Sequence, residues 1–136
     1  MRHLAKVHVR WDDLDAFGHV NNATYLTLVQ EARVDMTWVS RKAAGLEPVM
    51  TEMVVAKAEV DYILPIYQTN FDIDVEIWVI DVKRAAFTLE YAIKSSAGLH
   101  SRIKTVQVAV NPETKRARSL TEDELAFLEQ YREEEE

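Results

Sequence analysis

The spacing of apolar residues changes twice along the chain. From Leu4 to Trp11 every second residue is apolar, which predicts a short first β-strand. Further on, apolar residues recur three and four positions apart at Tyr25, Leu28, Val29, Ala32, Met36, Val39 and Ala43. This spacing predicts an amphipathic helix of about twenty residues, roughly 30 Å long. We expect Asn21 or Asn22 to cap its start, and Gly45 with Pro48 to end it near Ala44.

Alternation with a period of two returns after the helix. Strands are predicted at 54–63, 71–79, 87–93 and 103–110. Pro65 cannot donate to a strand ladder, so it indicates a sheet edge, a bulge or the end of the first of these strands. Thr121 and Glu124 form a capping box, which predicts a short final helix. One strand, one long helix and an antiparallel meander indicate an α+β fold class, in which the helix covers the apolar face of the sheet.

Composition narrows the function classes. A length of 136 residues predicts a single domain, residues 1–136, that ends in an acidic tail from Glu133 to Glu136. The net charge of −7 argues against nucleic acid or an anionic membrane as the partner. The chain has no cysteine, which excludes disulfides and a thiolate nucleophile and is compatible with the cytoplasm. We find no signal peptide and no apolar run that could span a bilayer.

The candidate chemistry lies between the first strand and the long helix. This turn carries Asp12, Asp13 and Asp15, followed by Gly18 and His19. The first N–H groups of a helix lack internal partners, so an oxyanion could be held there beside a carboxylate. The simpler role of these aspartates is turn formation. A calcium loop is excluded, because its fifth and twelfth positions would be Phe17 and Thr24, neither of which supplies the expected carboxylate.

The same stretch resembles the signature of the hot-dog-fold acyl thioesterases, the 4-hydroxybenzoyl-CoA thioesterase-like group. The matching residues are Asp13-Leu14-Asp15, Gly18-His19-Val20-Asn21-Asn22 and Tyr25-Leu26. They are closest to the branch that includes long-chain acyl-CoA thioesterases and the plant acyl-carrier-protein thioesterases. The segment 58–66 is similar to the second strand of that family. The resemblance implies an antiparallel sheet wrapped around the long helix, in subunits that join edge to edge as a homodimer or homotetramer.

It also implies hydrolysis of acyl-CoA without a cofactor or a metal. In the family the second Asp of the pair acts as general base or nucleophile, a position that Asp15 occupies here. Backbone N–H groups from Gly18 to Asn22 would polarise the thioester, and His19 would orient water or substrate. The plant branch has an asparagine where this chain has Phe17, so a His–Asn arrangement does not transfer intact.

Further positions carry weaker implications. The expected substrate-binding residues are Phe17, Val20, Asn22, Tyr25, Glu31, Lys83 and Arg84, the last two as cations for the phosphates of coenzyme A. Core packing and a solvated surface are the plainer explanations for them. Three other functions stay open: hydrolysis of an acyl-carrier-protein thioester, a hot-dog hydratase or dehydratase that pairs His19 with Glu31 of a partner subunit, and a non-catalytic acyl-binding subunit.

Overall fold

The computed structural model describes residues 1–133 and confirms the predicted α+β class. Its strands are β1 (His3–Val9), β2 (Met53–Tyr62), β3 (Phe71–Val82), β4 (Ala86–Ser95) and β5 (Gly98–Ala109). All neighbouring strands are antiparallel, in the order β1-β3-β4-β5-β2. The long helix α1 spans 24–43, and α2 spans Glu122–Gln130. Residues 134–136 of the predicted acidic tail lie outside the described residues. No described helix is long and apolar enough to cross a membrane.

The core lies between α1 and the inner face of the sheet. The helix buries Tyr25, Leu28, Val29, Ala32 and Met36, as its spacing predicts. Facing them are alternate residues of the strands: Val7, Val9, Ile73, Val75, Ile77, Leu89, Tyr91, Ile93 and Ile103. Burial of each large apolar side chain contributes about 1.5–3 kcal/mol, so this contact fixes the helix on the sheet.

The start of α1 differs from the predicted cap. Its N-cap residue is Ala23, which has no capping side chain. Asn21 instead accepts from the N–H of Ala23 with its side-chain oxygen, at 2.9 Å, and from the N–H of Thr24 with its carbonyl, also at 2.9 Å. The expectation of a direct cap by Asn21 or Asn22 was therefore wrong. Asn21 closes a turn one residue earlier, so no side chain caps the first N–H groups of the helix.

The second half of α1 is interrupted by a π-helical turn at Asp35–Val39. The Asp35 carboxylate lies 2.8 Å from His3 Nε2 and accepts a hydrogen bond from Ser40 at 3.2 Å. The wider turn rotates the residues that follow it, so Val39 is 54% exposed although regular spacing predicted a buried position. The helix then ends as predicted. Gly45 takes φ +77°, and the N–H groups of Gly45 and Leu46 bond back to Lys42 and Arg41 in a Schellman arrangement.

Strand β2 forms one edge of the sheet, as Pro65 indicated. It pairs with β5 from Met53 opposite Ala109 to Tyr62 opposite Ser101. Residues of β2 are exposed or half-buried throughout, because α1 packs over the side of the sheet that contains β1 and β3. A cleft therefore remains between α1 and the inner face of β2.

Candidate functional site

A tight turn holds Asp15 where the chain passes from β1 to α1. The carbonyl of Asp15 accepts from the N–H of Gly18 at 3.1 Å, and its N–H donates to the carbonyl of His19 at 2.9 Å. Gly18 adopts φ +83°, a conformation that side chains rarely tolerate. These contacts fix the Asp15 backbone.

The Asp15 carboxylate has two different oxygens. Oδ1 accepts from the N–H of Phe17 at 2.8 Å, and Oδ2 lies 3.6 Å from His19 Nδ1. The Asp15 side chain is 20% exposed and that of His19 is 36% exposed. The arrangement is an Asx turn that also leaves one oxygen beside a histidine, within reach of solvent.

Asp13 has a structural role. Its side chain is buried and accepts from Arg10 twice, from the backbone N–H at 2.8 Å and from the guanidinium at 3.1 Å. Its carbonyl accepts from the N–H of Asn21 at 2.9 Å. Asp13 thus joins the end of β1 to the start of α1 and supports the turn that carries Asp15.

A cleft of about 310 Å³ opens beside His19. It is lined by His19, Val20, Asn22, Tyr25, Tyr62, Ile63, Leu64 and Pro65. Tyr25 and Tyr62 meet edge to face, with ring centroids 4.9 Å apart, and the Tyr62 hydroxyl donates to the carbonyl of Asn22 at 2.8 Å. Burial raises the pKa of the Tyr25 hydroxyl, so that this group stays neutral and the wall uncharged. The cleft is suited to an apolar group that ends near Asp15.

Some of the expected N–H donors are already engaged. Those of Gly18, Val20 and Asn21 donate to the carbonyls of Asp15, Ile66 and Asp13 respectively. Among the N–H groups from Gly18 to Asn22, those of His19 and Asn22 have no acceptor in the described chain. These two donors, together with the uncapped first turn of α1, are the ones available to a carbonyl oxygen.

The segment after β2 is held by a buried histidine. The backbone carbonyl of His100 accepts from the N–H groups of Ile63 and Leu64, at 2.9 and 3.1 Å. Its ring Nδ1 lies 2.9 Å from the carbonyl of Leu64 and its Nε2 lies 2.6 Å from Ser95 Oγ. Because a carbonyl only accepts, Nδ1 carries a proton, which it donates to the carbonyl of Leu64. The turn between β4 and β5 therefore positions one wall of the cleft.

The other predicted residues are not all brought to this cleft. Val20, Asn22 and Tyr25 line it, whereas Phe17 is 84% exposed and reaches only His19, with ring centroids 6.3 Å apart. Glu31 is exposed on the other flank of α1, in a depression that Lys6 and His8 also line.

Lys83 and Arg84 lie at the opposite end of the sheet within one chain. They follow the last residue of β3, whereas the turn with Asp15 lies near Phe71, the first residue of that strand. Twelve residues of strand separate the two ends, about 40 Å. Arg84 donates to Ser119 Oγ at 2.8 Å. Any contact of these cations with a substrate at Asp15 would therefore have to come from another subunit.

Sequence reasoning missed the wall formed by Tyr62 and the residues up to Pro65. It also missed Tyr67, whose ring meets that of His19 with centroids 6.1 Å apart. Pro65 was interpreted only as a sign of a sheet edge, a bulge or a strand end, although the apolar and aromatic residues around it were the available signal. Within residues 1–133, no three histidine or carboxylate side chains are arranged to hold a metal ion.

Comparisons with known proteins agree with this geometry. The family model described as the thioesterase-like superfamily matches residues 9–128. A 1,4-dihydroxy-2-naphthoyl-CoA hydrolase of Rippkaea orientalis is 27% identical over 129 residues, which cover 88% of this chain and 90% of the relative. A Thermus thermophilus thioesterase, solved with coenzyme A and Zn, is 26% identical with a TM-score of 0.76, and the match covers 94% of this chain and 92% of that one.

The fold is also that of a thioesterase structure from Bacillus stearothermophilus, which matches over the whole length of both chains with a TM-score of 0.83 at 19% identity. The family model extends from the end of β1 into α2, and so includes the turn with Asp15, the long helix and the whole of β2 to β5. The chain therefore belongs to the thioesterase-like superfamily and has its hot-dog fold.

Proposed function

We propose that this thioesterase hydrolyses acyl-CoA to a free acid and coenzyme A, with Asp15 as general base or nucleophile. The observation that carries the proposal is the Asp15 carboxylate, one oxygen of which is fixed by Phe17 while the other faces His19 beside an apolar cleft. A fixed carboxylate next to a pocket for an acyl group has the two parts that thioester hydrolysis needs.

The side-chain and backbone groups of this chain can perform each step of thioester hydrolysis. As general base, Asp15 takes a proton from a water whose oxygen adds to the thioester carbon. The N–H groups of His19 and Asn22 stabilise the oxyanion that forms, because they are donors without an acceptor. Collapse of the intermediate breaks the carbon–sulfur bond, and the proton on Asp15 passes to the sulfur. As nucleophile, Asp15 would instead add to the thioester carbon and expel the coenzyme A thiolate, which leaves a mixed anhydride. The thiolate takes a proton from a water, and the resulting hydroxide adds to the anhydride, which releases the free acid and restores Asp15.

We further propose that two subunits join through β2 and complete the site. The outer edge of β2 is unpaired over ten residues, and Val54, Val55 and Tyr62 on it are about half exposed. Pairing with a second copy would satisfy the free N–H and C=O groups and cover these side chains. It would also allow Lys83 and Arg84 of a partner subunit to approach the coenzyme.

The test is thiol release from short, long and aromatic acyl-CoAs. Since the chain has no cysteine, a thiol reagent reports only free coenzyme A. We expect release from at least one acyl class at a rate well above that of the buffer. If thiol is released only from acyl-carrier-protein thioesters, the substrate is a thioester of that carrier and not of coenzyme A. No thiol release with any thioester would overturn the proposal.

The hydratase hypothesis has weaker support in this structure. It needs an acid across the site from His19, and Glu31 lies on the other flank of the helix within one chain. It would therefore depend on a partner subunit's Glu31. Addition of water to an enoyl-CoA without thiol release is the result that would favour it.

A further inference from the structure

Arg33 stands apart from the other interior groups of this protein. It is half-buried on α1, and its Nη1 donates to the Tyr91 hydroxyl at 3.1 Å. No carboxylate within residues 1–133 lies at ion-pair distance from Arg33. By contrast, Arg2 and Arg118 each contact carboxylates. A partly buried cation is usually paired with an anion. Four of the five N–H donors of the Arg33 guanidinium are still available, so this group is suited to bind an anionic acceptor.

The groups behind Arg33 are polar and well fixed. Tyr91 is fully buried, and its hydroxyl lies 2.6 Å from Thr105 Oγ1, which Gln107 Nε2 approaches to 3.4 Å. Arg33 donates to the Tyr91 oxygen, and either hydroxyl can be the donor in the bond between Tyr91 and Thr105. Burial raises the pKa of the Tyr91 hydroxyl, so it does not supply a negative charge to Arg33. The network orients the guanidinium and leaves its charge uncompensated.

The space in front of Arg33 is a cavity of about 180 Å³ with mainly apolar walls. Its lining includes Val34, Met36, Met53, Val55, Leu89 and Gln107. Helix α1 contributes Tyr25 to the cleft beside His19 and Arg33 to this cavity, while β2 contributes Tyr62 to that cleft and Met53 to this cavity. Both spaces therefore lie between the same two elements, α1 and β2. Tyr25 and Arg33 are eight residues apart, about 12 Å along the helix.

We propose that Arg33 forms a second substrate subsite, which binds the carboxylate at the far end of an ω-carboxyacyl group. This proposal rests on the acyl-CoA hydrolysis proposed above, because that reaction places an acyl chain in the cleft. Apolar walls between Asp15 and Arg33 suit the methylenes of the chain. The planar guanidinium suits a carboxylate, which it can bind with two parallel hydrogen bonds. The preferred substrate is thus the mono-CoA thioester of a medium-chain dicarboxylic acid.

The experiment measures binding, so that it does not depend on turnover. The ligands are two non-hydrolysable thioethers of coenzyme A with alkyl chains of equal length, one ending in a carboxylate and one in a methyl group. Calorimetry gives Kd for both with the wild-type protein, with Arg33→Met, and with Arg41→Met. Arg41→Met is the matched control, because this substitution removes one positive charge from the same helix. The Arg41 side chain itself bonds outward, to the carbonyl of Glu47.

We expect the carboxylate ligand to lose roughly ten- to hundredfold in affinity, relative to the methyl ligand, in Arg33→Met but not in Arg41→Met. An equal ratio in wild type and Arg33→Met would overturn the subsite, as would no binding of either ligand. Loss of the dimer in Arg33→Met with an unchanged ratio of the two Kd values would also overturn the subsite, because Arg33 would then pair with a carboxylate of the partner subunit. Thiol release from ordinary acyl-CoAs in any of these cases would leave the proposed hydrolysis intact.

Discussion

At the scale of single residues, Asp12, Asp13 and Asp15 have the same chemistry in different surroundings. Asp12 is exposed, Asp13 is buried in bonds from Arg10, and Asp15 keeps one carboxylate oxygen beside His19. Of the three, only Asp15 combines a fixed position with a carboxylate oxygen beside His19, which lines the cleft. The three residues therefore offer a test of catalysis in which charge and position can be separated.

We expect Asp15→Asn to lower kcat by roughly 10² to 10⁴, since a positioned base contributes about that factor. The amide oxygen can still accept from Phe17, so the melting temperature should change little. Asp12→Asn is the matched control and should keep full activity, whereas Asp13→Asn should mainly lower stability. If Asp15→Asn stays active while His19→Ala loses turnover, the base is the histidine and the assignment is wrong.

Gly18 gives a second prediction at this scale. A Cβ at this position would meet no atom within 4 Å in the chain, so Gly18→Ala costs stability only through its φ of +83°, about 1 kcal/mol. Gly18→Val should also abolish turnover if the substrate approaches this turn, with the fold retained in circular dichroism. Full activity of Gly18→Val would remove Gly18 from the site.

Sequence reasoning succeeded where one local pattern determines the outcome. The sequence brings Asp15, Val20 and Tyr25 close together because a strand, a turn and a helix follow one another within fifteen residues, and their catalytic and binding roles stay predictions. Tyr62 and His100 were missed because the first lines the cleft beside His19, and the second supports its wall, only through pairing of β2 with β5. On β3, Trp78 alternates with the apolar residues Ile77 and Val79 as the acidic residues before it do, yet it is buried beneath Arg2, whose guanidinium carbon lies 3.6 Å from the ring centroid.

At the scale of elements, the turn between β4 and β5 supports the segment after β2 through His100. We expect His100→Phe to leave the Leu64 carbonyl without its donor, which costs about 1–3 kcal/mol in the free energy of unfolding. Because Leu64 and Pro65 line the cleft, KM for the acyl-CoA should rise more than kcat falls. Ser95→Ala is the control: it removes the contact of Ser95 Oγ with His100 Nε2 and the hydrogen bond from the N–H of Ala97, but leaves the bond from His100 Nδ1 to Leu64. A fall in kcat with unchanged KM would contradict this positioning role.

The short helix α2 gives a prediction about pH. Thr121 and Glu124 form the predicted capping box, and Arg118 donates to both oxygens of Glu124, at 2.8 and 3.0 Å. The hydrogen bond from Arg118 holds the pKa of Glu124 below its ordinary value. The charged form is therefore favoured by folding, and its contribution is present at neutral pH and lost as the solution is acidified through that lowered pKa.

Glu124→Gln should consequently lower the melting temperature at pH 7, by an amount that corresponds to about 1–3 kcal/mol. The difference from wild type should shrink as the pH is lowered below the ordinary pKa of glutamate, about 4.3. Thermal unfolding from neutral to acidic pH measures both effects. A difference that stays constant over this range would show that the ion pair contributes nothing to the acid dependence.

At the scale of the whole molecule, the two edge strands differ in what they expose. Strand β1 presents polar side chains that contact carboxylates of β3, such as Lys6 with Asp74 at 2.6 Å and His8 with Asp72 at 3.0 Å. Strand β2 presents Val54, Val55 and Tyr62 beside the open cleft. Edge strands that remain free in solution are usually protected by charge. Strand β2 also carries the exposed pair of Lys57 and Glu59, at 2.8 Å, but its apolar residues Val54, Val55 and Tyr62 are the exposed edge residues that a second subunit would cover.

We therefore expect a homodimer through β2, or an assembly of such dimers, and light scattering at micromolar concentration should give at least twice the chain mass of 15.7 kDa. Val54→Lys places a charge on this edge and should shift the protein toward monomer and lower activity, because an isolated subunit has Lys83 and Arg84 far from Asp15. Leu4→Lys is the matched control, since Leu4 is 52% exposed on the opposite edge strand and Val54 is 49% exposed. Dissociation by Leu4→Lys alone would place the interface on β1, and a stable, fully active monomer of the wild-type protein would refute the assembly.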